Sequence, residues 1–209
     1  MTKGTNGMRT VRRGIALAAL AVAMSACGDA VRNGSGPAYV VIDTLQAAQG
    51  NHIATLGSGL SSDVQVLVTV PAPQCTPASP CPTIFNDVGS ASLRLVMKDH
   101  LLTPTTNNEV TITRYHVAYR RADGRNRPGV DVPYGFDGAS TGTIQNTLTL
   151  GFELVRLVAK QESPLVQLIT SPSVITVIAD VTFYGTDRVG NAVSVTGSIT
   201  IDFANFGDT

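Results

Sequence analysis

The sequence predicts an all-β protein, folded as an antiparallel β-sandwich, and three observations support this prediction. Apolar residues alternate with polar ones over several segments from residue 38 onward, which is the period of half-buried strands. Clusters of Gly, Pro, Asn and Asp separate these segments, as turns between short strands do. Roughly seven to nine short strands in a region of this length favour a sandwich over a barrel.

The clearest alternation lies near the C-terminal end. Apolar residues occupy every second position over 175–183 and, apart from Gly197, over 193–203, and the residues between them are mostly polar. Asp187–Asn191 has the composition of a turn between these two strands. The pattern therefore predicts a hairpin in a sheet that is covered on one face only. Further strands are predicted at 38–44, 64–70, 93–97, 109–121, 143–150 and 152–159, with one helical turn near Glu162–Leu168.

The start of the chain has the layout of a secretory signal peptide. Arg9, Arg12 and Arg13 precede Gly14–Met24, an apolar run without charge that is too short to cross a membrane. Small residues follow, and then Cys27. Residues 1–26 are therefore predicted to be a cleaved leader.

The residues around the cleavage point carry a resemblance. Met24-Ser25-Ala26-Cys27 resembles the lipobox of bacterial lipoproteins, in which the cysteine is lipidated and becomes the first residue of the mature chain. The resemblance implies a lipid anchor on Cys27 in the bacterial cell envelope, with several acyl chains that together hold the protein stably on the membrane. Gly28 in place of Asp favours the outer over the inner membrane, by resemblance to a known sorting rule. The alternative is an ordinary signal peptide cleaved near Ala26, which leaves Cys27 as a free thiol.

Composition after the leader limits the function classes. Residues 27–37 are rich in Gly and polar residues and are expected to form a flexible tether. The leader holds four of the 15 basic residues and none of the 15 acidic ones, so the rest of the chain has a net charge of −4. That balance does not favour a nucleic-acid partner. Residues 38–209 are expected to form one domain, with 38–82 either part of it or a separate cap.

Two cysteines remain after Cys27. Cys75 and Cys81 flank five residues in a proline-rich loop, and in an exported protein a disulfide between them is the default expectation. The alternative, a metal or redox site, requires a spacing that this pair does not match.

Two segments resemble a known domain family. Thr113–Gly124 looks like the third strand and turn of a fibronectin type III domain, and Ala179–Asn191 is similar to the last hairpin of that family and of bacterial Ig-like domains. The resemblance implies an Ig-like, fibronectin type III-like sandwich whose middle region, 125–172, is elaborated. A fold resemblance of this kind implies no function by itself.

The strongest functional candidate is an arginine- and tyrosine-rich segment. Five arginines lie within 14 residues, and three tyrosines accompany them, all of which are candidate partner-binding residues. Arginine and tyrosine are enriched at protein interfaces. The set comprises Arg114, Tyr115, Tyr119, Arg120, Arg121, Arg125, Arg127 and Tyr134. Together with loop 130–138 it is interpreted as a docking surface for an acidic partner such as an envelope protein, for a glycan or for an anionic surface polymer. The alternative is a solvated hairpin whose arginines pair with nearby carboxylates.

Other motifs are weaker. Gly138–Gly142 matches the Gly-x-Ser-x-Gly pattern of serine hydrolases, but it leads into a predicted strand, and no histidine follows Ser140. The three histidines lack metal-ligand spacing. Two loops, one holding Asp123, Asp131 and Asp137 and the other Asp187 with Asn191, are weak calcium candidates that ordinary turns also explain.

Three functional hypotheses follow from these observations. The first is a non-enzymatic envelope lipoprotein whose sandwich serves as an interaction or structural module, without a cofactor or metal. The second is a carbohydrate- or small-ligand-binding lipoprotein, which the absence of tryptophan disfavours. The third is a hydrolase on a β scaffold, for which the sequence offers no nucleophile, base and acid set.

Overall fold

A computed structural model describes residues 36–207 and confirms the all-β prediction. The predicted leader and the lipidation site Cys27 lie outside the described residues. The regular elements, in chain order, are β1 (Ala38–Ala48), β2 (Gly59–Asp63), β3 (Val66–Val68), β4 (Cys81–Thr83), β5 (Asp87–Met97), a 3₁₀ turn (Thr106–Asn108), β6 (Val110–Arg120), β7 (Phe136–Gly138), β8 (Gly142–Ile144), β9 (Thr147–Val155), α1 (Leu157–Gln161), a second 3₁₀ turn (Leu165–Ile169), β10 (Ile175–Asp187) and β11 (Ala192–Ala204).

Two main sheets form the sandwich. The smaller sheet has the strand order β1-β5-β9, and the larger has the order β2-β11-β10-β6-β7, with β8 also paired to β6. β2 runs parallel to β11, whereas the other strand pairs within residues 36–207 are antiparallel. The core lies between the two sheets. Four aromatic rings pack edge-on or tilted at its centre, with centroids 5.4 to 6.3 Å apart: Tyr115, Phe136, Phe152 and Phe183.

The C-terminal hairpin is present, as the alternation predicts. Ala179 faces Ile199 across the β10–β11 pair, and both are buried. The intervening residues of both strands point away from the core, so the outer face of the larger sheet is polar. Alternation identifies these strands correctly because one face is buried and the other meets solvent.

Several predicted boundaries are wrong. The break between the two strands predicted over 143–159 lies at residues 145–146, between β8 and β9, and Gly151 is inside β9. The predicted strand 152–159 ends at Val155 and continues as α1. The helical turn predicted near Glu162–Leu168 is a 3₁₀ turn over Leu165–Ile169. Periodicity fails here because short apolar runs fit a strand and a buried helical turn equally well.

Two other strands deviate from strict alternation. The register of β6 against β10 shifts so that Arg114 pairs with Tyr184 and Ile112 with Gly185, which leaves Thr113 as the extra residue of a β-bulge. Ile112 and Tyr115 therefore both face the core. The strand predicted at 64–70 is reduced to β3, and Val70 is exposed ahead of Pro71, which has no backbone N–H to extend a ladder.

The segment 38–82 contributes to both main sheets. β1 pairs with β5, and β2 pairs with β11. β3 and β4 instead form a two-stranded ribbon of their own, and the predicted disulfide between Cys75 and Cys81 is confirmed at the start of β4. Among residues 36–207 no helix has the length and apolar character needed to cross a membrane.

Candidate functional site

The topology gives the sandwich two different ends. At one end the chain enters at Pro37, whose carbonyl accepts a hydrogen bond from Lys98 N at 2.9 Å, just after β5 ends. The β8–β9 turn lies at the same end, because Asn146 O accepts from Leu95 N. Ile144 in turn pairs with Val110 at the start of β6. We call this the tether end.

The opposite end is where β6 finishes. Tyr119, one residue before the end of β6, donates its hydroxyl to Leu154 O at 2.6 Å, near the end of β9. The chain then forms a loop over residues 121–135, the arginine loop, before β7 begins. We call this the arginine end. Arg120 and the loop residues Arg121, Arg125, Arg127 and Tyr134 therefore lie at this end, whereas Arg114, the fifth residue of β6, lies near the middle of the strand.

The five candidate arginines all pair with carboxylates. Their closest contacts are Arg114–Asp137 at 3.5 Å, Arg120–Asp180 at 2.6 Å, Arg121–Asp123 at 2.9 Å, Arg125–Asp123 at 2.7 Å and Arg127–Asp131 at 3.0 Å. Five arginines therefore share four carboxylates, and the expected positive patch is nearly neutral. The structure matches the alternative interpretation, in which the arginines pair with nearby acidic residues.

Within the arginine loop, local hydrogen bonds lower the pKa values of two carboxyls. Asp123 accepts from the guanidinium groups of Arg121 and Arg125, which hold the pKa of its carboxyl well below the usual range. Arg127 lowers the pKa of Asp131 in the same way. Both carboxylates therefore remain ionised and act as fixed acceptors, which orders the arginine side chains around them.

For two of the residues, the prediction that they contact a partner is wrong. Tyr115 and Tyr119 have only 4% and 7% of their surfaces exposed, because they lie on the inward face of β6 and pack into the core. Their hydroxyls are used internally, since Tyr115 accepts from Glu153 N and Tyr119 donates to Leu154 O. Burial raises the pKa of both phenols. These tyrosines join the two sheets and do not face a partner.

Tyr134 does face solvent. It is 52% exposed, and its neighbour in the loop, Val130, is 54% exposed. Gly129 has φ +75°, and a Cβ there would lie 2.3 Å from the Tyr134 hydroxyl oxygen, so the tyrosine lies directly against the glycine. Gly129 N donates to Val132 O at 2.8 Å, and Val132 is fully buried. The loop is thus fixed to the core and presents an aromatic and an aliphatic side chain outward.

The outer face of the larger sheet continues this surface with hydroxyl and charged groups. Arg114 stacks over the ring of Tyr184 at 3.8 Å, a cation–π geometry. Ser198 donates to Asp180 at 2.5 Å beside the Arg120 pair, and the hydroxyls of Thr182 and Thr196 are 2.8 Å apart. These polar groups of the face are already hydrogen-bonded to one another.

The hydrolase and metal candidates are placed in ordinary loops. Ser140 lies between β7 and β8, not at a strand-to-helix turn, and donates its hydroxyl to Gly151 O. Asp187 accepts from the backbone of Val189 and Asn191, which is an Asx-type turn. Within residues 36–207, no group of three or more His, Cys, Asp or Glu side chains is arranged to hold a metal ion.

Sequence reasoning missed a buried polar cluster at the arginine end. Lys160 of α1 and Asp87 at the start of β5 each have 1% of the side chain exposed, and Lys160 Nζ lies 2.9 Å from Asp87 Oδ2. Ser62 donates to the same carboxylate at 2.5 Å, and Lys160 also donates to Asp63 O. Burial raises the pKa of Asp87 and lowers that of Lys160, while their attraction opposes both shifts. The only sequence signal was a lysine inside an apolar stretch, Leu157–Gln161.

A cleft of about 400 Å³ opens between the end of β1 and the start of β2. It is bounded by Ala48, Gln49 and His52 on one side and by Gly59 and Ser61 on the other. This volume lies within the range of small-ligand sites.

No protein-family model matches the chain, and no curated protein matches it significantly.

Proposed function

We propose that this chain is a lipid-anchored protein of the bacterial cell envelope whose β-sandwich is a non-enzymatic interaction module. Its contact surface is the arginine loop together with the neighbouring outer face of the larger sheet. The partner is a second envelope protein. The membrane anchor is the lipidated Cys27, in the outer rather than the inner membrane.

One observation carries the proposal: the arginine loop presents Tyr134 and Val130 outward from a backbone fixed to the core. Side chains held in place lose little conformational entropy on binding, which favours affinity. Arginine and tyrosine are the residue types that most often dominate binding energy at protein interfaces. Arg125 and Arg127, whose side chains are 65% and 77% exposed, flank this site.

The pairing of the arginines changes the expected partner chemistry. A nearly neutral mosaic of guanidinium and carboxylate groups does not select an acidic partner. It offers donors and acceptors together, which suits a polar protein surface with its own mixed charges. Ser140 and Ser62 do not favour an enzyme, because Ser140 donates its hydroxyl to a backbone carbonyl and Ser62 is fully buried.

The test is in-cell photo-cross-linking from the full-length protein. A photoreactive phenylalanine analogue replaces Tyr134, and the matched control replaces Tyr39, a tyrosine of similar exposure at the tether end. We expect one discrete protein adduct from position 134 and none of that mass from position 39. Adding Arg127→Glu to the Tyr134 variant should reduce the adduct, whereas Arg94→Glu, on the smaller sheet, should not. An adduct with a glycan would show that the partner is a glycan and not a protein. Equal labelling from both positions would contradict the proposed contact surface.

The cleft beside β2 favours small-ligand binding as a second candidate function. Its walls combine apolar surface with the polar groups of Gln49, His52 and Ser61. A thermal-shift screen of the protein against sugars and small metabolites tests this candidate. A stabilising compound whose effect is lost in His52→Ala would support it, and an effect that survives in that variant would place binding elsewhere.

A further inference from the structure

One arginine at the arginine end has no carboxylate partner within residues 36–207. That part of the chain holds eight arginines, and Arg156 is the one that forms no ion pair there. The other seven each pair with an aspartate or a glutamate: Arg94, Arg114, Arg120, Arg121, Arg125, Arg127 and Arg188. Because a guanidinium group stays protonated in proteins, Arg156 carries a positive charge that its surroundings leave unpaired.

The Arg156 side chain is held at the base of the arginine loop. Its guanidinium carbon lies 4.7 Å from the centroid of the Phe136 ring, a cation–π geometry. Phe136 is the first residue of β7 and is 8% exposed. Burial raises the pKa of Tyr119 near the end of β6, and the charge of Arg156 opposes that rise. Arg156 therefore lies close to both strands that the arginine loop connects.

The orientation of the guanidinium directs part of it outward. Within residues 36–207, Arg156 Nε is buried and has no hydrogen-bond partner. The two terminal nitrogens are not buried in this way, and they donate no hydrogen bond to this part of the chain. Nε thus faces the protein while both terminal nitrogens reach the surface. Their parallel N–H groups match the two oxygens of one carboxylate.

Exposed apolar side chains accompany this cation. Leu157 and Val158 follow Arg156 directly at the start of α1 and are 38% and 50% exposed. Tyr134, two residues before Phe136, is 52% exposed. Apolar contacts around a charged group exclude water when a partner covers them, which strengthens an ion pair at their centre. The surroundings of Arg156 therefore suit a protein surface on which an acidic side chain lies among apolar ones.

We propose that Arg156 binds the carboxylate of one aspartate or glutamate of the partner protein, through hydrogen bonds from its two terminal nitrogens. The inference rests on the proposed function and names the chemical group that the interaction module recognises. It extends the contact surface from the arginine loop to the start of α1. The arginines of the loop are already paired and do not select an acid, whereas Arg156 does.

The donor set favours a carboxylate over a phosphate group. A phosphate presents three acceptor oxygens and is commonly bound by a cluster of arginines. Here the loop arginines that could complete such a cluster already hold Asp123 and Asp131. One guanidinium that offers two parallel N–H groups satisfies a carboxylate, which has only two oxygens.

The first step of the test identifies the partner residue. A photoreactive phenylalanine analogue replaces Val158 in the full-length protein in cells, and the matched control replaces Leu102, which is 55% exposed at the tether end. We expect position 158 to capture the same protein that position 134 captures, and position 102 not to. Mass spectrometry of the cross-linked peptide should locate the adduct beside an aspartate or glutamate of the partner.

The second step measures affinity between the purified proteins. Arg156→Gln should weaken binding about thirtyfold or more, because it leaves the partner's carboxylate covered and unpaired. Arg94→Gln, on the smaller sheet, should leave the affinity unchanged. Changing the partner's acid to its amide should weaken binding to the same extent, and combining it with Arg156→Gln should add little further loss. Arg156→Glu together with an arginine in place of that acid should restore binding.

A third variant separates binding from folding. Arg156→Lys keeps a positive charge over Phe136 but cannot present two parallel N–H groups. We expect it to unfold in urea at the wild-type midpoint and to bind more weakly than the wild type. Wild-type affinity in Arg156→Lys would refute the paired hydrogen bonds of the proposal.

The outcomes distinguish this inference from the proposed function. If positions 134 and 158 capture the partner but Arg156→Gln binds it as tightly as the wild type does, the inference is overturned and the interaction module stands. Fully additive losses in the double variant would also overturn it, because Arg156 would then contact a different group. If neither position yields a protein adduct, the proposed function and this inference both fail.

Discussion

The exposed loops at the two ends of the sandwich are held by different interactions. At the arginine end, four arginines share three carboxylates, and the exposed Tyr134 lies against Gly129. At the tether end, Asp99 accepts a hydrogen bond from Leu101 N, and the side chains of Leu101 and Leu102 are 80% and 55% exposed. The difference teaches that charge pairs order the side chains of the arginine loop, whereas hydrogen bonds from backbone N–H groups to Asp99 and Asp187 shape the loops of the tether end.

The largest expected effect lies inside the arginine end. Lys160→Met leaves Asp87 buried without its counter-ion, and breaking such a pair costs about 3–5 kcal/mol of unfolding free energy. Urea unfolding measures this loss. The double variant Lys160→Met with Asp87→Leu should lose less than Lys160→Met alone, because no unpaired charge is then left in the core. A double variant that is less stable than the single one would contradict the role of charge burial.

Two glycines compare the loops at the two ends. Gly129 and Gly190 have φ +75° and +90°, so alanine costs about 1–2 kcal/mol at either position. Only at Gly129 does a Cβ meet another side chain, that of Tyr134, whereas the space around Gly190 is open. Gly129→Ala should therefore destabilise more in urea unfolding, and it should also change the fluorescence of Tyr134. Equal losses would indicate that Tyr134 moves aside freely.

The pH dependence of stability sharpens the comparison at the tether end. Burial raises the pKa of Asp187, but hydrogen bonds from Asn191 and the turn backbone outweigh it and hold that pKa below its usual value of 3.8. The ionised form is thus favoured in the folded state, and its stabilising contribution is complete above pH 3.8 and is lost as the pH falls through the lower folded value. Asp187→Asn should be less stable than the wild type at neutral pH, and the difference should shrink in acid. A difference that stays constant down to low pH would contradict this account.

The smallest effect is expected for single surface ion pairs. Arg120 and Arg94 each pair with an aspartate, and the side chains of both arginines are 47% exposed. Exposed pairs of this kind contribute little to stability because solvent screens them. Arg120→Ala and Arg94→Ala should therefore leave the unfolding midpoint almost unchanged. Only Arg120→Ala should reduce the cross-linking of a partner from a photoreactive residue at position 134. A clear loss of stability in Arg120→Ala alone would show that the Arg120–Asp180 ion pair stabilises the fold.

Local pattern predicted much of the fold. Alternation located β5, β10 and β11, and the prediction that the protein is exported, together with two remaining cysteines, predicted the disulfide. The bulge at Thr113 and the helical continuation after Val155 were missed, because both depend on packing against the opposite sheet. The partner of Lys160 was invisible for the same reason, since Asp87 lies 73 residues away in the sequence.

The candidate site was only half predictable. The sequence placed the arginines and Tyr134 in one region but could not assign Tyr115 and Tyr119 to the inward face. Thr113 sets that assignment, because a single extra residue reverses which side chains face the core.

One measurement tests the central claim, that the arginine loop is the surface through which the domain contacts a partner protein. The same photoreactive residue is placed at Leu102 in one strain and at Tyr134 in another, and the adducts from intact cells are identified by mass spectrometry. The account predicts a protein adduct from position 134 that position 102 does not give. The absence of a protein adduct from position 134, or the same protein adduct from both positions, would contradict it.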